Sequence, residues 1–138
     1  MIFSVAGGSN RDAILLVVRI AIGSLMLVHG LPKLEALLSD GPVQFPHLFG
    51  MGPALSLALA AFAEVFCSVF IVLGMGTRVA TIPLIITMLV AVFHVHASDP
   101  FIKQEMGLHY LLVYGILLFE GSGKYSADNL VARQRTTR

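Results

Sequence analysis

Apolar residues run along this chain in four long blocks, and the glycines, prolines and most charges fall between them. The blocks cover residues 13–31, 54–73, 79–95 and 104–120, the last with its apolar core only at 106–119. A helix needs about 20 apolar residues to cross about 30 Å of hydrocarbon, so the first two blocks have full length and the fourth is short. Stretches such as "ALSLALAAFAEVFCSVFIVLG" offer no polar outer face, which a soluble bundle would require. The pattern predicts an all-α protein: a four-helix transmembrane bundle with a long outer loop between helices 1 and 2, forming a single membrane domain over 1–138 with a basic tail at 129–138.

The connections refine this picture. "GMGTR" after the second block predicts a tight turn, with Gly74 and Gly76 ending one helix before Arg78 starts the next. The segment between Pro32 and Pro53 keeps Leu37, Leu38, Phe45, Leu48 and Phe49 among its prolines and glycines. It reads as a short interfacial helix and a turn over the bundle mouth. "LVARQRTTR" reads as a frayed end drawn to anionic headgroups. Lys and Arg divide unevenly: Arg11, Arg78, Lys124, Arg133, Arg135 and Arg138 face Lys33 and Lys103 on the other side. By the positive-inside rule both termini are cytoplasmic. The first block is retained rather than cleaved as a signal peptide, because Arg19 interrupts it and no A-x-A site follows.

Composition adds limits. The 138 residues are 57% hydrophobic and 12% charged, with a mean hydropathy of +0.86 and a net charge of +1. That balance fits lipid as the main partner and gives no basic, aromatic-rich surface for nucleic acid. Cys67 is the single cysteine, so dithiol chemistry within one chain is excluded.

The polar residues inside the blocks carry the candidate chemistry. Arg19, Gly23, Met26, Gly30 and Lys33 fall on one stripe of the first helix, and Ala60, Glu64, Cys67 and Ile71 on one stripe of the second. A lone intramembrane charge costs at least about 2.5–3.5 kcal/mol, so a partner is expected. Counted from flush cytoplasmic ends, Arg19 and Glu64 reach similar depth, which predicts an ion pair between them. It serves either as a structural device or as part of a site. Near the outer face His29, Lys33, His94, Glu105 and His109 form a second group.

Three histidines and a carboxylate admit several chemistries. They could ligate zinc or non-haem iron, although no HExxH motif occurs; two histidines could hold haem; or they could simply meet water and headgroups at the interface. A quinone headgroup is the further alternative, with the histidines, Tyr110 and Tyr114 as hydrogen-bonding groups beside a lipid-open slot. His47 and His96 read as interfacial residues.

The string "RIAIGSLMLVHGLPKL", then "AEVFCSVFIVLGMGTR", "HVHASDPFIKQE" and "GSGKYSAD", resembles the DoxX family of small four-helix membrane proteins, from Arg19 to about Asp128. The resemblance implies a bacterial inner-membrane protein. Family members are similar to subunits of a thiosulfate:quinone oxidoreductase, act as membrane partners of antioxidant and sulfur-handling proteins, or serve as assembly factors. It carries over Arg19, His29, Lys33, Glu64, Arg78, His94 and Glu105, with Tyr125 and Asp128 structural. Some related proteins use cysteine pairs, which this chain lacks.

The resulting expectation is a membrane subunit of a quinone-linked redox complex, with quinone as cofactor and neither haem nor metal. Glu64, His94, Glu105 and His109 are the catalytic candidates. Arg19, His29, Lys33, Tyr110 and Tyr114 are the binding candidates. A partner subunit would bring electrons, and small-residue stripes leave room for a homodimer. The rival is a non-catalytic scaffold or assembly factor, with transport as a third class.

Overall fold

A computed structural model describes residues 7–136, and every regular element among them is helical. Helix α1 spans Gly7–Leu38, α2 Pro53–Leu73, α3 Thr77–Val95, α4 Phe101–Glu120 and α5 Ala127–Thr136. The first three are long and apolar enough to cross a membrane. Many of their large side chains, among them Val17, Val28, Phe62, Val79 and Phe93, point outward, as they would toward lipid. α4 packs along α3, where Gly107 lets Val92 come close: a Cβ there would lie 2.5 Å from the Val92 side chain.

Two expectations about the connections need correction. α1 does not stop at Leu31; it runs through Pro32 to Leu38, and no helix forms between residues 39 and 52. Proline within a membrane helix is tolerated because neighbouring groups satisfy the freed carbonyl. The loop still roofs the bundle, held by the Leu48 amide donating to Ser56 Oγ at 3.2 Å. The tail is also not frayed from 129, since α5 extends to Thr136; Arg138 lies outside the described residues. We refer to the end carrying residues 39–52 and 96–100 as the loop end, and to the other as the tail end.

The α2–α3 turn is as expected. Gly74 and Gly76 both take left-handed φ angles, 71° and 55°, and the Met75 amide closes the helix on the Phe70 carbonyl at 2.9 Å. Asp128 accepts from the Gly76 amide at 2.8 Å and from Ser122 Oγ at 2.7 Å, fastening the tail to that turn. At the loop end His96 Nδ1 lies 2.7 Å from Asp99. That bond, helped by the charge of Lys103, holds the Asp99 carboxyl below its usual range.

Helices α1 and α2 run antiparallel with glycines at their closest approach. A Cβ on Gly23 would meet Val72 at 2.5 Å, and one on Gly30 would meet Glu64 Cβ at 2.8 Å and its backbone carbon at 2.9 Å. Arg19 therefore lies at the level of Gly74, which packs against its guanidinium, and Glu64 at the level of Gly30. The eleven residues from Arg19 to Gly30 separate the two levels by about 16 Å.

Substituting Gly30 by Ala is expected to lower thermal stability in detergent by about 1–3 kcal/mol, because backbone blocks the added methyl. Gly115→Ala, in open space within α4, is expected to be neutral or to stabilise by up to about 1 kcal/mol. Equal melting shifts for both would contradict the packing described.

Candidate functional site

Glu64 sits in a π-helical segment, Phe62–Cys67, that widens α2. Three consecutive residues, Ala63, Glu64 and Val65, are consequently buried, where a regular helix would turn one of them outward. The carboxylate is only 2% exposed. Its partner is Lys33, whose Nζ donates to Oε1 at 2.6 Å and to Oε2 at 2.5 Å. The expected Arg19–Glu64 pair does not form, because Arg19 lies level with Gly74 and the turns of α1 from Gly7 onward project past the α2–α3 turn. The tail-end helix termini are not flush.

Arg19 is fully buried and serves the tail end instead. Its Nη2 donates to the Tyr125 carbonyl, and Asp128 is the nearby negative charge. Tyr125 and Asp128 thus tie the tail end to α1 and to the α2–α3 turn.

Four of the expected site residues converge. His29, Lys33, Glu64 and Tyr110 line a cavity of about 100 Å³ with Met26, Met88 and Met106, at the meeting of all four long helices. His29 meets the Tyr110 ring edge-on at 6.0 Å between centroids, and Tyr110 stacks on Tyr114 at 5.9 Å. Tyr114 is buried one turn further toward the tail end. His94, Glu105 and His109 line neither this cavity nor the groove described next; all three are exposed. Among the described residues no group of three or more His, Cys, Asp or Glu side chains is placed to hold a metal.

Glu64 also closes a second space that the sequence did not announce. A groove of about 250 Å³ runs between α2 and α3, walled by Leu59, Ile86 and Val90 and roofed at the loop end by Phe45 and Phe49. Glu64 lies at its far end, with Ser56 and Thr87 as further polar groups. His94 stacks on Phe49, ring centroids 4.7 Å apart, and so braces the roof rather than reaching the carboxylate. It too belongs to a π-helical segment, Ala91–Val95. Neither π segment has a periodic signature that a hydropathy reading would register.

The geometry defines a class: a helical membrane protein with a buried, lysine-paired carboxylate shared between a polar cavity and an apolar groove. The DoxX family model matches residues 14–97, and the chain belongs to that family. It is similar to CatD of Bacillus subtilis, provisionally named an oxidoreductase, at 27% identity over 84% of this chain and 85% of that one. An uncharacterized membrane protein of Mycobacterium tuberculosis matches at 29% identity, covering 86% of this chain and 82% of its own. The inner membrane protein YphA of Escherichia coli is 36% identical over 51% of this chain and half of its own. No solved structure matches.

Removing Lys33 would leave a buried anion without its partner. Lys33→Met is expected to destabilise the protein by about 3 kcal/mol, at the low end for a broken buried pair because Lys33 is partly exposed. The double variant Lys33→Met/Glu64→Leu should recover most of that loss. A double variant as unstable as the single one would show that the pair contributes in some other way.

Proposed function

We propose that this DoxX-family membrane protein binds a quinone-like redox ligand in the groove between α2 and α3, with its headgroup at Glu64. The observation that carries this reading is the position of Glu64, buried between an apolar slot on one side and a polar, histidine-bearing cavity on the other. The slot suits a ring with an apolar tail, and Ser56 and Thr87 add hydrogen-bonding groups to its lining. A quinone–quinol couple supplies two-electron, two-proton chemistry, and the electrons pass between it and a partner subunit.

This chain's own part is to place and move the proton. Lys33 holds the Glu64 carboxylate at the end of the groove through both of its oxygens, where it accepts a proton from a hydroxyl. Each carboxylate oxygen keeps a lone pair beyond the one that Lys33 engages. Glu64 then returns the proton on its other side, into the cavity where His29 reaches the exposed surface. Tyr110 positions His29 through their edge-on contact. Arg19 and Tyr114 are positioning residues of the core, and His94 acts through the Phe49 roof. Glu105 and His109, at the loop-end start of α4, are placed for exchange with solvent. α4 forms the fourth span, both termini lie on the cytoplasmic side of a bacterial inner membrane, and the basic residues of the tail end support that orientation. The provisional oxidoreductase name of the B. subtilis relative supports the redox reading. A homodimer is compatible with it.

The test is to extract the protein in native lipid particles and quantify quinone per chain by mass spectrometry. Near one quinone per chain is expected for the wild type, with at least a tenfold drop for Ala60→Phe, which fills the groove, and for Glu64→Gln. Quinone equal to that of the surrounding lipid in all three would overturn the proposal and favour a scaffold.

A further inference from the structure

The sequence holds six methionines, and three of them meet at one place. Met26 from α1, Met88 from α3 and Met106 from α4 line the cavity of about 100 Å³ beside Glu64, and His29 lines it with them. Met26 and His29 are three residues apart on α1 and so share a face. Met26 and Met88 are buried, whereas Met106 keeps 54% of its surface exposed and stands with the exposed His29 where the cavity opens.

Methionine is an ordinary filler of irregular core space, and Met26 and Met88 alone would need no other account. Filler closes gaps, however, and these three flexible chains border a space with room for an ion and an imidazole on its wall. Charge then decides what the space suits. The one carboxylate there, Glu64, is already balanced by Lys33 at both oxygens. The remaining donors are three thioether sulfurs, an imidazole and the Tyr110 hydroxyl, a neutral and mostly soft set. Zinc and iron call for thiolates, carboxylates or several imidazoles, and the Lys33 ammonium opposes a dication nearby. Thioethers select monovalent copper.

We propose that Met26, Met88, Met106 and His29 form a binding site for Cu(I). The rotatable bonds of each methionine let its sulfur turn toward the ion, and the edge-on contact with Tyr110 orients the His29 ring. Binding involves no change of oxidation state. His29 cannot hold the ion and carry a proton outward at once, so the site goes beyond the quinone reading and excludes its proton route while loaded. The metal-free expectation from the sequence weighed imidazoles and carboxylates alone.

The experiment titrates the full chain in detergent micelles with Cu(I), kept reduced by ascorbate and buffered by the chromogenic chelator bicinchoninate. No quinone enters the assay, so its outcome is separate from that of the quinone reading. The wild type should bind one Cu(I) per chain, with sulfur dominating the metal's shell in X-ray absorption. Met26→Leu/Met88→Leu/Met106→Leu, which nearly conserves side-chain volume, should bind at least about 100-fold more weakly. Met106→Leu alone, at an exposed position that leaves the core intact, and His29→Leu should each weaken binding about tenfold. Met75→Leu and Cys67→Ser should match the wild type. Unchanged affinity in Met106→Leu or the triple variant would overturn the site, as would a wild type that takes no copper from the chelator. Loss of binding in Cys67→Ser would assign the copper to the thiol, and displacement by an equal concentration of Zn(II) would assign it to harder ligands; either result overturns the proposal.

Discussion

Everything around the candidate site depends on how this bundle accommodates one buried carboxylate. An unpaired anion at the depth of Glu64 would carry a desolvation cost that few apolar contacts could offset. Lys33 removes that cost by reaching both carboxylate oxygens, and it can do so only because Gly30 lets α2 close onto α1. The glycine, the ion pair and the π-helical turn form one device. The glycine sets the separation of the helices, the π turn directs Glu64 inward, and the lysine neutralises it while its own chain reaches toward the exposed end.

The other buried charge works at the opposite end with different chemistry. Arg19 lies among Gly74, Ser126 and the Tyr125 carbonyl, about 16 Å along α1 from the level of Glu64. Its guanidinium ties the first helix to the chain that follows the fourth. Asp128 does the same for the α2–α3 turn, so the tail end is closed by a polar knot and the loop end by an aromatic roof. An apolar core that includes Ile71, Leu84, Tyr114 and Leu117 lies between the two ends.

The first three spans were legible because hydropathy is a length-averaged property, and the inward stripes of α1 and α2 were legible because helical period is rigid. Arg19, Met26, Glu64, Cys67 and Ile71 are all buried as their spacing required. Which charge meets which was not legible. That depends on the axial offset of two helices, and the observed offset sets Arg19 and Glu64 about 16 Å apart and brings Lys33 to Glu64 instead. His94 and His109 fell outside the cavity for a related reason: similar depth places residues on one level, but only azimuth decides whether they face one another. His94 met Phe49, a loop residue whose position no periodicity describes. α5 was missed because its polar sequence carries no apolar stripe to signal a helix.

The π-helical turn has one more implication, for how chains of this family compare with each other. Such a turn holds one residue more than a regular helix of the same rise, so it marks a place where chain length and helix phase are coupled. A relative one residue shorter between positions 62 and 67 could keep both halves of α2 and both connecting turns. Its acidic residue, however, would be rotated by about 100° relative to the half that follows. Two aligned glutamates can therefore look equivalent in a sequence column and yet point to different neighbours, and gap placement in this hexapeptide becomes a statement about three-dimensional direction.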